Sequence, residues 1–188
     1  MSVAAEAQGL RSLSGTYNYD PSHSRVGFVA RHAMVAKVRG SFDEVTGSAT
    51  IDGANPAASS LEVTIQAASI DTRDANRDAH LRSADFFDVE QYPTITFVGT
   101  GFEITDDSTV EVTGDLTIRG VTKSVTVPFE FGGAAVDPFG NERIGFEGVL
   151  VVNRKDWGLT WNAALEAGGV LVSEKVTLEL EVSAVKAA

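Results

Sequence analysis

The 188-residue sequence contains no cysteine. A disulfide framework, a thiolate metal site and a cysteine nucleophile are therefore excluded. It also lacks any run of about 18 apolar residues, so nothing in it reads as a membrane-spanning helix. The amino-terminal MSVAAEAQGLRSLSG has no apolar core of signal-peptide length, because Glu6, Gln8 and Arg11 interrupt it. A cytoplasmic protein is expected on that basis. Positive charge is scarce: 15 Lys and Arg stand against 26 Asp and Glu, a net charge of −11. Such a field repels phosphate polyanions and acidic membrane surfaces, which argues against nucleic acid and against a polybasic anchor. An acidic surface also serves solubility alone.

The motifs of several chemistries are missing too. His23 and Ser24 are adjacent, but neighbours on a strand point to opposite faces, and no G-x-S-x-G elbow occurs. His23, His32 and His80 show no metal-ligand spacing such as H-x-H or H-E-x-x-H. Gly99-Thr100-Gly101 lacks the strand-to-helix context and the third glycine of a dinucleotide site. Asp71, Asp74, Asp78, Asp85 and Asp88 lie among Arg73, Arg77 and Arg82, where a solvated charge network is the default. No internal repeat or low-complexity segment stands out.

What the chain does contain is alternation. Leu61, Val63, Ile65 and Ala67 alternate with Glu62, Thr64 and Gln66, the period-two pattern of a half-buried strand. In Thr109–Ile118, Val110, Val112, Leu116 and Ile118 share one face, opposite Glu111, Thr113, Asp115 and Thr117. Val121, Val125, Val127, Phe129 and Phe131 share a face of the next segment, and Pro128 opposite them suits an edge or bulge. Val176–Val185 alternates likewise. Thr16–Asp20, Ser24–His32, Val38–Val45, Ser48–Asp52, Thr94–Val98, Phe102–Thr105, Arg143–Asn153 and Trp157–Trp161 complete the strand segments. Gly40 would permit a bend or bulge beside Phe42. Turn signals recur about every 8–12 residues, the spacing of an all-β sandwich or barrel, which the pattern alone does not separate. One mainly β domain over residues 15–188 is predicted, behind a loose Ala-, Ser- and Gly-rich tail at 1–14.

One stretch, Ser69 to Phe97, fits neither strand nor tight turn. Asp71 or Thr72 can cap a short helix there. Asp74 with Arg77 and Asp78 with Arg82 place opposite charges on one helical face, each pair stabilising by roughly 0.2–0.5 kcal/mol. Such a helix must also dock to persist, through Leu81, Ala84, Phe86 and Phe87. Pro93 disfavours helix at Tyr92. His80 reads as a structural hydrogen-bonding group between helix and barrel. The prediction is a helical crossover lying against one end of the β-structure.

SIDT, RDAHLRSADFFDVEQYPTITF, VTGDLTIRGVTKSVTVPFEF and the early DPSHSRVGFVARHAMVAKVRGSFDEVTG resemble the YceI-like family of lipid-binding proteins. The resemblance runs in order from about Thr16 to Val185. It implies a lipocalin-like antiparallel β-barrel of about eight or more strands with a short helical crossover, and an interior that holds a long isoprenoid chain. Family members in some bacteria are exported, a pattern from which this amino terminus departs.

The resemblance also bears on the aromatic residues. Phe28, Phe97, Phe129, Phe131 and Phe146 fall on apolar strand faces and, taken alone, simply fill a core. An eight-stranded barrel is wide enough either to be packed or to hold one ligand, and the resemblance favours the cavity. Phe28, Phe42, Phe86, Phe97, Leu116, Phe129 and Trp157 are then expected in its wall. Arg31, His32 and Arg82 are expected at the mouth, orienting a head group, although His32 also reads as an ordinary surface histidine. The crossover would act as a lid. The function so implied is binding, storage or transport of a long-chain isoprenoid lipid of quinone or polyprenyl phosphate type, with no catalytic residue, metal or cofactor apart from that lipid. The rival is an enzyme or stress-response factor acting on a lipid or small oxidised molecule in the same cavity, built on converging His32, His80 and a carboxylate. A third reading is a filled barrel working through its surface, in which a homodimer has a place.

Overall fold

A computed structural model describes residues 9–188. Its strands are β1 (Ser14–Tyr19), β2 (Arg25–His32), β3 (Ala36–Phe42), β4 (Val45–Asp52), β5 (Ser60–Gln66), β6 (Ile70–Asp71), β7 (Thr94–Ile104), β8 (Thr109–Ile118), β9 (Val121–Val136), β10 (Glu142–Asn153) and β11 (Lys175–Lys186). One helix, α1 (Ala75–Arg82), lies between β6 and β7. Every strand pairing is antiparallel. The order β1-β4-β5-β7-β8-β9-β10-β11 returns to β1 through Tyr17↔Lys186 and Tyr19↔Ala184, so 8 strands close a barrel. The closure removes the open edges that a sandwich would keep. β11 also pairs with β2 from Thr177↔Val29 to Glu181↔Arg25, and β3 and β6 follow outward.

Local chemistry explains where the elements depart from the sequence pattern. Thr94–Val98 and Phe102–Thr105 are one strand, β7, whose register against β8 slips between Gly99 and Gly101. Val38–Val45 breaks at Asp43 and Glu44, because their N–H groups are taken by Ser69 O and Ser69 Oγ. Gly40 forms no bulge; it pairs regularly with Phe28. Trp157–Trp161 is not a strand. A 3-10 turn, Arg154–Trp157, is capped by the Asn153 side chain and ended by Gly158 at φ 76°, which turns both Trp157 and Leu159 into the core. Pro128 does sit at an edge: β9 and β10 part after Phe129↔Gly148, while β9 continues along β8 alone.

The predicted tail divides. Residues 1–8 lie outside the described residues, but Leu10–Ser12 form a 3-10 turn that buries Leu10 and Leu13. Two leucines three apart on a tight turn face the same way, and here they plug one end of the barrel with Tyr17, Ile144 and Ala184. The opposite end is filled by Phe86, Trp157 and Leu159 with Val45, Ile65, Ile95 and Leu116. The crossover reaches that end as predicted: Phe86 is buried in the cluster, and Leu81 and Phe87 pack against it, although Ala84 stays exposed.

The cap of α1 is Asp74, whose carboxylate accepts from Arg77 N–H, rather than Asp71 or Thr72. The predicted ion pairs give way to main-chain duties. Arg77 donates to Thr72 Oγ1 and Thr72 O, and Arg82 to Ala68 O and Ile70 O. Buried Asp78 accepts from Thr72 N–H and Thr72 Oγ1–H. The carbonyls of buried Thr72 and Ile70 would cost about 1–3 kcal/mol each if left bare, against a few tenths for an exposed ion pair, so the arginines serve those carbonyls. Among the described residues no helix is long and apolar enough to cross a membrane.

Candidate functional site

The inward faces of the strands enclose a cavity of about 370 Å³, within the range of roughly 300–1,000 Å³ typical of ligand-holding clefts. It runs from Leu10, Leu13 and Tyr17 at the plugged end to Phe86, Trp157 and Val172 at the helix end. The period-two alternation read from the sequence puts the apolar residues on this face. Phe28, Phe42, Phe86, Phe97, Leu116, Phe129 and Trp157 all line it. Trp157 meets its one polar need away from the lumen, its Nε1–H donating to Leu116 O at 2.9 Å.

The barrel is hollow for a geometric reason. Each of four phenylalanine rings leans over a glycine, three on a neighbouring strand (Phe28 over Gly40, Phe97 over Gly114, Phe129 over Gly148) and one on its own, Phe102 over Gly99 of β7. A Cβ at Gly148 would come within 2.8 Å of the Phe129 ring. With no Cβ in the way, the ring lies along the wall instead of standing out toward the axis. Rings that do meet one another pack edge-on or tilted, as Phe28 with Phe42 (centroids 5.8 Å) and Phe42 with Phe87 (5.7 Å).

The polar candidates lie elsewhere. Arg31 and His32, at the end of β2, are exposed; Arg31 N–H donates to Ser173 Oγ, and His32 bridges to Val172. Arg82 is committed to the Ala68 and Ile70 carbonyls at 2.9 and 3.1 Å. None of the three lines the cavity. His80 bonds within the crossover rather than to the barrel, meeting Asp85 at 2.8 Å, and its ring packs edge-on between Phe86 and Trp161. Among the described residues no three His, Asp or Glu side chains gather as a metal ion would require.

A residue without any sequence cue proves central to the helix end. Arg154 is 7% exposed, and its guanidinium donates to Ser173 O (2.8 Å), Leu159 O (2.6 Å) and Val172 O (3.3 Å). It thereby clamps the segment from Gly158 to Ser173 across the barrel end, with the cation 6.0 Å from the Phe86 ring centre. Burial pushes its pKa below the ordinary arginine value. Asn162 adds to the clamp, accepting from Val172 N–H and donating to Val172 O.

Comparison with known proteins decides the relationship, because residues 17–184 match the model of the YceI-like domain. The chain belongs to the YceI-like family. A UPF0312 protein of Ectopseudomonas mendocina is 40% identical over 154 residues, 81% of each chain. The crystal structure of Burkholderia cenocepacia BcnA superposes with a TM-score of 0.77 at 26% identity, over 88% of this chain and 98% of that one. A domain of Saccharophagus degradans described as polyisoprenoid-binding, and implicated in plant cell wall breakdown, shares the fold at 17% identity. Its TM-score is 0.69, over 91% of this chain and 98% of that one. The YceI-like match begins at Tyr17, so the plug formed by Leu10 and Leu13 lies just outside it.

Proposed function

We propose that this YceI-like chain binds, stores or carries a long-chain isoprenoid lipid, of quinone or polyprenyl phosphate type, in its barrel. The observation that carries the reading is the apolar cavity itself, kept open by glycine notches that hold four phenyl rings against the wall. The polyisoprenoid-binding description of the Saccharophagus degradans domain supports it. Burying each CH₂ contributes about 0.8 kcal/mol, so a five-carbon unit contributes about 4 kcal/mol before ordering costs. Recognition of the chain then rests on the length and shape of the lumen. The head group is left to exposed groups at the helix end, with Arg31 and His32 as candidates and Arg82 a weaker one, its donors being engaged. The role is that of a carrier rather than a catalyst.

Organic extraction of purified protein made in a quinone-containing host, followed by mass spectrometry, tests this. A stoichiometric isoprenoid is expected. Recovery of no lipid refutes the carrier. Phe28→Asp, which puts a carboxylate in the wall, should lower lipid retention more than Glu62→Ala on the outer face of β5; equal retention removes Phe28 from the site.

A further inference from the structure

The hairpin joining β2 to β3 has a sequence that its own turn does not favour. Val35 N–H closes the turn on His32 O at 3.1 Å, and the two central residues, Ala33 and Met34, have φ of 50° and 64°. Asn-Gly ordinarily supplies that left-handed pair, and other residues adopt it under strain. Met34 and Val35 are 61% and 80% exposed. Immediately behind them Arg31 stands directly opposite Lys37 on the paired strand, both exposed, a like-charge pair that repels. Among the described residues neither forms an ion pair, whereas Arg25 and Arg39 share Glu179. From Pro21 to Phe42 the chain carries Arg25, Arg31, Lys37 and Arg39 and no Asp or Glu, against a net charge of −11 overall.

This tip stands at the helix end of the cavity. Ala33 N–H donates to Leu171 O at 2.7 Å, His32 bridges to Val172, and the Met34 sulfur lies over Gly169. Val172 and Ala30 are themselves in the cavity wall. The neighbouring segment adds exposed Val170 and a single carboxylate, Glu166. The barrel has a second apolar tip, Val136 and Phe139 between β9 and β10, but that one sits beside Asp137 and Glu142. Of these two tips, only the β2–β3 tip joins exposed apolar side chains to cations that form no ion pair among the described residues.

We propose that the β2–β3 hairpin docks this chain on an anionic lipid bilayer, Met34 and Val35 entering the interface while Arg31 and Lys37 face the head groups. The net negative charge does not forbid this, because at physiological salt charges are screened beyond about 8 Å and the bilayer meets only the hairpin's surroundings. The proposal rests on the carrier reading for its purpose, since a lipid carrier must meet the membrane, but not for its structural basis.

Co-flotation of the full chain with vesicles tests it, comparing phosphatidylcholine containing phosphatidylglycerol with phosphatidylcholine alone. The wild type should bind the anionic vesicles preferentially. Lys37→Ala should weaken binding roughly fivefold, and Met34→Ser with Val35→Ser about tenfold or more. Phe139→Ser should bind as wild type. Lys37→Glu sets a carboxylate opposite Arg31, so it should raise the melting temperature while weakening binding, a combination that misfolding cannot produce. Absence of anionic preference, wild-type binding by Lys37→Glu or by the double serine variant, or an equal loss in Phe139→Ser overturns the proposal. Lipid extraction from the same samples separates the two ideas. A lipid-filled barrel that ignores vesicles defeats docking alone, and an empty barrel that binds them through the tip defeats the carrier alone.

Discussion

Adding one methyl group at Gly148 should both destabilise the barrel and shrink its lumen. A Cβ there would stand 2.8 and 2.9 Å from two atoms of the Phe129 ring and 3.1 Å from Val127 Cγ1. Carbon atoms pack comfortably at about 3.5–4.0 Å, so the ring must retreat by roughly 1 Å, and the open direction is the cavity. Its edge-on packing against Phe146, at 6.5 Å between centroids, goes with it. Overpacking of this kind costs about 1–3 kcal/mol, and the stiffer unfolded chain of an alanine variant returns about 0.4–1 kcal/mol. The net loss for Gly148→Ala is then up to about 2.6 kcal/mol, with a midpoint of about 1.3 kcal/mol that corresponds to a fall of about 3–5 °C in melting temperature for a domain of this size. Gly145, on the same strand, is the control, because a Cβ there would meet only Val182 O at 3.9 Å. Gly145→Ala should be neutral or slightly stabilising. The assay is thermal unfolding by circular dichroism, paired with mass spectrometry of extracted lipid. Gly148→Ala with an unchanged melting temperature and full lipid content would refute the idea that glycine notches keep the barrel open.

Two further outcomes are expected. Arg154→Leu leaves the carbonyls of Leu159 and Ser173 without the guanidinium donor and Val172 O with Asn162 alone, at about 1–3 kcal/mol in all because the segment can turn to water. Hydrogen exchange should then speed at the amides of Leu171, Val172 and Ser173 while β8 stays protected; uniform loosening would deny Arg154 its local role. At the plugged end, Arg143 holds Asp20 (2.6 Å) and Asp137 (2.8 Å). Both carboxyls are held well below the ordinary range, Asp20 chiefly by Arg143 and Asp137 first by the Asn141 N–H and then by Arg143. Depressed carboxyl pKa values stabilise fully above the unfolded value near 3.9, and that contribution disappears as pH falls through the folded value. Arg143→Met should therefore raise the pH of acid unfolding, and carboxyl NMR titration should show Asp20 moving more than Asp137. An unmoved Asp20 would break this account.

Much of the barrel was legible because one rule, alternation, governs it. Parity alone assigned Phe97 and Leu116 to an apolar inward face, and Pro128 suited an edge; that the inward face bounds a lumen was an expectation from the family resemblance. The misses are places where a second demand overrode the first. Gly40 looked like a bend, yet its partner Phe28 needed the space. Trp157–Trp161 alternated like a strand, but burying Trp157 and Leu159 together required a tight turn. Charge spacing on α1 suggested Asp78 with Arg82, whereas the crossover's own carbonyls and Thr72 claimed both side chains. Leu10 and Leu13 belong to a stretch whose composition reads as tail, and only the open end of a barrel gives them a place. Arg154 was invisible, since nothing beside it distinguishes it from Lys155; its role exists only once Leu159 and Val172 have come back over it.

β11 bears on how the molecule is made as well as on its shape. Its residues 175–186 are the partner of β10 on one side and of both β1 and β2 on the other. During synthesis the two earliest strands must therefore wait, each with a bare flank, while some 140 residues of nascent chain separate them from their mate, the kind of distant pairing that slows folding and invites association. Until that late segment leaves the ribosome there is no enclosed lumen, so any hydrophobic cargo is taken up by a finished protein or trapped at the instant of closure.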